Sequence, residues 1–338
     1  MSSLTPLEAL NRVVEDTVVD LRLVGARTLA NLYENGSIKT ATKTTLDWDA
    51  LAGGGGVAWE STDQDGANTA TDVTVPAKLF IGSHRIKHQF SVSRVALREA
   101  ATLAPDDLKD LFGAHIRSGL THILREINRV IWVGDGTPAT GNVVGLNKVM
   151  DATFAYAGVD PAAYPEWQAV ALTNATPRAL TRDLLLDYEE AIVNRETYYN
   201  SVVTSPSAAK NYTKLFDTIA GGSSVTKMVD DKKQPAVDLG HGARYYNGLP
   251  IVEDPMCPAG QFATLNLDEI FLYSFDVSTK VDDPDDDSRI ISSKTMGLNV
   301  HLSKLPSNNS AVHRFELFVI PQLQVKNRKA VQAIRNLS

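Results

Sequence analysis

His115 and His122 are the two side chains whose spacing comes closest to that of a metal site. They lie seven positions apart, on or near the apolar stripe of one predicted helix. A bound transition metal needs further histidine, cysteine or carboxylate ligands, and none follows at a suitable spacing. We therefore interpret both as structural histidines.

Glycines recur over residues 134–145, in the order Gly-Asp-Gly-Thr-Pro-Ala-Thr-Gly-Asn-Val-Val-Gly. A phosphate-binding loop needs Gly-Lys-Ser/Thr at the start of a helix, so that backbone N–H groups and the lysine face the phosphates. Here the glycines follow a predicted helix, and Asn142 and Val143 follow Gly141. The pattern predicts a tight structural turn and no nucleotide site.

An acidic run, Asp-Asp-Pro-Asp-Asp-Asp, occupies residues 282–287. A calcium loop of the EF-hand type also needs a central glycine and a glutamate at its twelfth position, because these shape the loop and complete the ligand set. Both are missing here. We favour a solvated acidic loop, and loose cation binding stays open as the alternative.

Signs of catalysis are absent from the sequence. It contains no Gly-x-Ser-x-Gly elbow and no His-Glu-x-x-His motif. Cys257 is the only cysteine, which rules out an intrachain disulfide and a multi-cysteine zinc site, and its neighbours match no known nucleophile family. Glu189 and Glu190 are adjacent on a predicted helix, so their carboxylates point apart. We predict no enzyme, and no catalytic, cofactor-binding or metal-binding residue.

The composition and charge of the 338 residues indicate which classes of binding partner the protein can have. The net charge is −7 and the pI is near 5.5, whereas a protein that grips nucleic acid usually has a basic face. Weak, non-specific contact with a packaged genome stays open. The first 25 positions include Glu8, Glu15, Asp16 and Asp20, where a secretory signal would have a basic end and an apolar middle. No apolar run reaches the roughly 20 residues of a membrane span. We expect cytoplasmic synthesis and no membrane partner.

The N-terminal third predicts a helix followed by an extended arm. Residues 1–35 have helical periodicity, and Asn35-Gly36-Ser37 is a clear break. Residues 37–93 have the pattern of strands and loops, with four glycines at 53–56, which together predict a long hairpin-like arm.

The acidic and the basic residues of this arm lie in separate stretches of the sequence. Acids alone occur over residues 51–76, and bases alone occur over 77–98, namely Lys78, Arg85, Lys87, Arg94 and Arg98. The arm is either a solvated polar loop or an element that docks its charged stretches on neighbouring subunits, where such charges set register and association rate.

The next segment predicts one long amphipathic helix over residues 105–130. Its apolar residues recur at i, i+3 and i+4, and its length would be roughly 40 Å. One long helix beside one long hairpin is hard to bury in a compact monomer. We therefore expect copies of the chain to supply the missing surface.

The C-terminal half predicts a mixed α/β region. The expected helices cover 181–199 and 206–216, and the expected strands cover 202–204, 245–252, 262–267, 270–275 and parts of 314–334. A basic patch without acids lies near the end, at Lys326, Arg328, Lys329 and Arg335. It is interpreted either as charge protecting an edge strand or as a partner surface for an acidic element such as 282–287.

The order of these parts resembles the major capsid proteins of tailed bacteriophages, which have the Hong Kong 97 fold. Residues 133–137 and 144–146 are similar to the turn that ends the family's spine helix. Tyr156–Asp160, Tyr164 and Trp167 resemble the entry to its axial (A) domain, and 247–254 resemble a segment within that domain.

This resemblance implies an α+β fold with a definite division of the chain. The implied parts are an N-terminal arm over 1–36, an extended E-loop β-hairpin over 37–93, a peripheral (P) domain over 94–179 with a long spine helix at 105–130, a mixed α/β A domain over 180–310, and a return to the P domain over 311–338.

The resemblance also implies the function and the partners. The chain would form pentamers and hexamers of an icosahedral shell around phage double-stranded DNA, assembled in the bacterial host cytoplasm and found in the virion. Portal, scaffolding or decoration proteins would be partners. An encapsulin-like compartment housing a cargo enzyme, and an unrecognised soluble α/β enzyme, are the alternatives.

Two features depart from some family members. The segment ahead of the expected E-loop is short, which implies a separate scaffolding protein or none. Lys43 and Lys78 lie in the arm region but do not match the lysine that some members crosslink to a neighbour, so no crosslink is predicted.

Overall fold

The computed structural model describes residues 25–53, 73–81, 85–95, 105–137, 140, 142–219, 244–277, 291–306 and 312–338. The predictions for residues 1–24, for the arm tip at 54–72 and for the acidic run at 282–287 lie outside this part of the chain. The chain divides into two compact units, each assembled from three separate stretches of sequence. The first unit holds Met1–Leu46, Phe80–Gly145 and Phe271–Gln324, and the second holds Asp47–Leu79, Leu146–Ile270 and Val325–Ser338.

The first unit combines helices with two sheets. Its helices are α1 (Arg27–Glu34) and α2 (Pro105–Val133). Its strands are β1 (Ile38–Ala41), β4 (Ile86–Ser93), β10 (Ile270–Phe275), β11 (Ile291–Thr295), β12 (Leu298–Leu305), β13 (Val312–Val319) and β14 (Pro321–Val325). They form a four-stranded antiparallel sheet in the order β11-β12-β13-β4 and a three-stranded sheet in the order β1-β10-β14.

Helix α2 packs on the four-stranded sheet through the stripe that its periodicity predicts. The described part of that stripe is buried at Ile116, Leu120, Ile123, Leu124, Ile127 and Val130. Strand β4 has one covered face, because Phe90 and Val92 are buried while their neighbours Gln89 and Ser91 are exposed. Gly119 brings the helix close to this strand, since a Cβ there would lie 2.8 Å from the His88 ring.

Helix α1 is fastened to α2 by buried polar contacts. The Leu29 amide donates to Asn128 Oδ1 at 2.9 Å, and the Trp132 indole donates to Thr28 Oγ1 at 2.9 Å. The helix then ends at the predicted break, where Gly36 has a φ of +70°, a conformation that favours glycine.

The second unit contains the two limbs of the arm and a six-stranded sheet. The limbs are β2 (Thr45–Gly53) and β3 (Val73–Phe80), which pair as a two-stranded ribbon, as the sequence predicts. The sheet contains β5 (Val170–Arg178), β6 (Ser201–Thr204), β7 (Tyr245–Tyr246), β8 (Leu249–Glu253), β9 (Phe262–Leu265) and β15 (Val331–Leu337), in the order β5-β15-β9-β6-β8-β7. Its helices are α3 (Leu146–Val149), α4 (Arg182–Asn194) and α5 (Pro206–Ile219).

The two longer helices of this unit begin where the sequence predicts and end elsewhere. Thr181 caps α4 by accepting a hydrogen bond from the Leu184 amide, and the helix stops at Asn194 instead of residue 199. Helix α5 begins at Pro206, a favoured first-turn residue, and runs to Ile219. Both helices join one apolar cluster on the sheet.

Short 3-10 helices complete the described elements, at Pro165–Trp167, Leu267–Glu269 and Arg328–Ala330. Within the described residues, no helix combines the length and apolar character that crossing a membrane requires.

Candidate assembly surfaces

The base of the ribbon is held by contacts within the second unit. The Trp48 indole donates to the Lys326 carbonyl at 3.2 Å and its ring lies 6.3 Å from that of Tyr156. The Lys78 amide donates to the Ala157 carbonyl at 3.0 Å. These contacts hold the base of the ribbon against the rest of its unit.

Two of the bases predicted within the arm, Arg85 just before β4 and Lys87 on it, bind a carboxylate of their own chain. Glu316 on β13 is fully buried, and Arg85 and Lys87 place their cationic nitrogens 2.9 Å and 3.8 Å from its oxygens. Gln89 also donates to Glu316 at 2.7 Å. Arg85 and Lys87 therefore neutralise a carboxylate of their own chain, because a buried carboxylate needs partners at hand.

The two histidines of α2 pack against rings on β4, which is the structural role predicted for them. His115 stacks on Phe90 with ring centroids 5.7 Å apart, and His122 stacks on His88 at 5.6 Å. Burial lowers the pKa of His88, and the neighbouring His122 and His115 lower it further because adjacent positive charges repel. Across the described residues, no three or more His, Cys, Asp and Glu side chains come together as metal ligands would.

The glycine segment after α2 is the tight turn that the sequence predicts. Asp135 and Val144 form an isolated antiparallel bridge, and the Gly145 amide donates to the Gly134 carbonyl at 2.9 Å. Hydrogen bonds from Thr140 and Thr137 lower the pKa of the Asp135 carboxyl to about 2. The segment closes a helix C-terminus, which is the wrong end of a helix for a phosphate.

Both interpretations of the basic patch are wrong for Arg328, and the edge-strand interpretation is wrong for Arg335. Arg328 is fully buried, and its guanidinium donates to the backbone carbonyls of Val149, Asp151 and Phe154, the last at 3.0 Å. Arg335 lies on β15, which pairs with β5 on one side and β9 on the other and so is no edge strand.

The buried role of Arg328 was missed because its acceptors lie far away in the sequence. They belong to the last residue of α3 and to the turn after it, and only folding brings them to Arg328. Burial lowers the pKa of the Arg328 guanidinium, yet arginine remains charged near neutral pH.

The remaining residues considered for catalysis have structural surroundings. Cys257 is buried, and burial raises the pKa of its thiol well above the usual value, with a further contribution from Asp254. Glu189 accepts hydrogen bonds from Tyr199 at 2.7 Å and from Asn247 at 2.9 Å, whereas Glu190 is exposed. The two carboxylates therefore point apart, as their adjacency on a helix predicts.

No family model and no curated protein matches the sequence. Solved structures do match its fold. A chain of the cyanophage A-1(L) capsid asymmetric unit aligns over 95 % of this chain and 94 % of its own, with a TM-score of 0.71 and 22 % identity. The SrpI encapsulin from Synechococcus elongatus PCC 7942 aligns over 96 % and 91 %, with a TM-score of 0.54 and 13 % identity. The capsid of a native GTA particle aligns over 95 % and 92 %, with a TM-score of 0.54 and 16 % identity.

These alignments span almost the whole of each chain, so the likeness concerns the complete architecture. The chain has the Hong Kong 97-type capsid fold, and the α+β class inferred from its sequence is confirmed.

Proposed function

We propose that this chain is a major capsid protein of a tailed bacteriophage, which assembles into pentamers and hexamers and then into an icosahedral shell around double-stranded DNA. The observation that carries this proposal is the alignment with the cyanophage A-1(L) capsid chain over 95 % of this chain at a TM-score of 0.71. Such a protein is structural, and its location is the capsid of the virion, following synthesis and assembly in the host cytoplasm.

The paired limbs of the arm support this role. In the part of the chain that the structure describes they form a ribbon of two strands, and a two-stranded ribbon is marginal by itself in water. Phe80, at the end of its second strand, is 64 % exposed. In a shell, such an arm would lie over an adjacent subunit, and many modest contacts repeated around the shell would stabilise the container.

The same proposal assigns a role to each part of the chain. Residues 1–36 would act as the N-terminal arm, 37–93 as the E-loop, 94–179 and 311–338 as the P domain, and 180–310 as the A domain that meets its neighbours around the capsomer axis. The mildly acidic chain would touch packaged DNA only weakly, since like charges leave the polyanion mobile. A portal, and scaffolding or decoration proteins, would complete the particle.

A protein compartment is the second candidate, and the alignment with the SrpI encapsulin supports it. That alignment has a TM-score of 0.54 against 0.71 for the cyanophage chain, so we rank the compartment below the capsid. The two functions differ in the contents of the shell, which are DNA in one case and a cargo enzyme in the other.

Gel filtration and negative-stain microscopy of the purified protein test shell formation directly. We expect elution in the void volume and closed particles in the images. Particles isolated from infected or producing cells should contain nuclease-protected double-stranded DNA and a portal. A co-purifying enzyme without DNA would favour the compartment, and a chain that remains a compact monomer would contradict both.

A further inference from the structure

Helix α4 has an outer face that is partly apolar and partly acidic. Leu186 is 57 % exposed and Val193 is 69 % exposed. They are seven residues apart, so they lie on the same side of the helix, two turns apart. Asp183, Asp187 and Glu190 are exposed along the adjoining strip of the same helix. These five residues are called the α4 face below.

The inner side of α4 is buried in its own unit. Leu184, Leu185, Tyr188 and Ile192 are buried against the sheet. The exposed leucine and valine therefore do not serve the core of their own unit. Large apolar side chains beside a charged strip are a usual composition for a surface that binds another protein.

Helix α5 has an exposed face of opposite charge. Lys210 and Lys214 are exposed and one helical turn apart. The inner side of this helix, with Ala208, Ala209 and Tyr212, is buried. The two lysines are called the α5 face below.

The two faces lie towards opposite ends of the six-stranded sheet. Helix α4 contacts β5, the strand at one end, and α5 contacts β8, which is next to the strand at the other end. Both helices pack into the same apolar cluster and so share one side of the sheet. One unit therefore has an acidic and apolar surface towards one end and a basic surface towards the other.

We propose that the α4 face of one copy of this chain binds the α5 face of the next copy. A contact between two different surfaces is heterologous and closes into a ring when the rotation permits. The apolar pair would supply the dry centre of the contact, while the carboxylates and lysines would orient the two copies. The alternative pairing of two α4 faces is disfavoured, because it would bring six carboxylates together. This inference rests on the proposed function and adds which surfaces meet within a ring.

A charge exchange tests the pairing. One variant carries Asp187→Lys and Glu190→Lys, a second carries Lys210→Glu and Lys214→Glu, and a third combines all four. Each of the first two should lower the yield of particles by about ten-fold or more, because like charges would then face each other. The third should recover roughly half of the wild-type yield or more, because the two changes compensate only if the sites are in contact.

Two further variants separate assembly from folding. The double substitution Leu186→Ser and Val193→Ser removes the apolar contact without altering charge, and it should also lower the yield. The reversal Lys294→Glu, at an exposed lysine of the first unit, should leave the yield unchanged. All substituted side chains are exposed, so the thermal unfolding of each soluble subunit should stay close to that of the wild type.

Normal yields from both charge-reversed variants would overturn the pairing, and so would a combined variant that folds normally yet recovers nothing. In either case wild-type particles would still support the proposed function. A wild-type chain that forms no particles under any condition would instead refute the proposed function itself.

Discussion

Arg328 is a residue whose role depends entirely on where its neighbours fold. A buried guanidinium is tolerated when its N–H groups find acceptors, and here three backbone carbonyls supply them. The same residue type on the surface would have contributed little. Arg328 therefore acts as a clamp between the C-terminal strands and the turn after α3.

Replacing Arg328 by methionine should strongly destabilise the subunit. The substitution keeps the apolar stem but leaves three carbonyls without donors, so we expect a loss of about 3 kcal/mol or more in the free energy of unfolding. Urea unfolding of the soluble subunit measures this loss in the free energy of unfolding. The control Lys326→Ala, at an exposed side chain of the same segment, should change stability by less than about 0.5 kcal/mol. Equal losses for the two variants would contradict the clamp.

Alanine substitutions at Gly145 and Gly158 compare the cost of crowding with the cost of backbone strain. A Cβ at Gly145 would lie 2.6 Å from the Gly134 amide nitrogen and 2.7 Å from the Val130 carbonyl oxygen, whereas Gly158 has a φ of +84° with nothing within 4 Å. Gly145→Ala should therefore cost about 3 kcal/mol from overpacking, and Gly158→Ala only about 1 kcal/mol from its left-handed backbone. Urea unfolding of both variants gives the order, and a larger loss at Gly158 would refute it.

His301 should make the stability of the subunit depend on pH. It is fully buried with Nε2 2.8 Å from the Phe275 carbonyl, and burial lowers its pKa from 6.5 despite that hydrogen bond and the nearby Asp276. As the pH falls, the unfolded chain therefore binds the proton before the folded chain does. The contribution of His301 to the free energy of unfolding is complete above pH 6.5 and declines below it.

Unfolding titrations between pH 8 and pH 5 test this dependence, with His301→Gln as the comparison. Glutamine can donate to the same carbonyl and does not titrate, so the variant should show a shallower decline in stability below about pH 6.5. A decline of the same steepness in both proteins would show that other groups carry it.

At the scale of elements, α2, β4 and β13 form one packed assembly with a polar and an apolar side. Helix α2 covers the apolar face of the two strands. On the other face, the Glu316 carboxylate contacts the side chains of Arg85, Lys87 and Gln89. A buried carboxylate thus pairs with two of the charges that the linear sequence presents as a single basic stretch. The charge pattern alone does not reveal this pairing, because Glu316 lies far away in the sequence.

Shortening the arm tests whether it is an assembly element. Deletion of residues 51–70 with a short glycine-serine linker should leave a soluble, folded subunit, because the buried residues that the structure describes lie outside this stretch. It should abolish shells, because the overlap with a neighbour would be lost. Circular dichroism and negative-stain microscopy provide the two readouts. Normal particles from the shortened chain would show that the E-loop assignment is wrong.

At the scale of the whole molecule, both compact units are built from distant parts of the chain. The last strand, β15, lies between β5 and β9 inside the six-stranded sheet of the second unit. The sheet is therefore incomplete until β15 has been synthesised. Pairing between strands so far apart in sequence is also slow to form, because a long loop must close first.

Removal of residues 331–338 should consequently prevent folding. The truncation would expose the edges of two strands and remove Val331, Ala333 and Ile334 from the core, so we expect an insoluble chain. The soluble fraction after expression measures the effect, and a chain lacking only Ser338 is the control. A soluble truncated chain with cooperative unfolding would contradict the central role of β15.

Local signals in the sequence determined much of this protein. The stripe of α2, the alternation of β4, the Thr181 cap and the glycine turn after Val133 were predictable, because each depends on residues within a few positions of one another. The order of those elements was also sufficient to indicate the capsid fold.

Only the tertiary structure decided what each face meets. Arg328 belongs to the interior, Glu316 neutralises Arg85 and Lys87, β15 lies within its sheet, and Leu186 and Val193 are left on the surface. Periodicity reveals that one side of an element is covered, but the partner that covers it lies up to hundreds of residues away. Burial and charge pairing are properties of that contact, and so they appear only when the chain is folded.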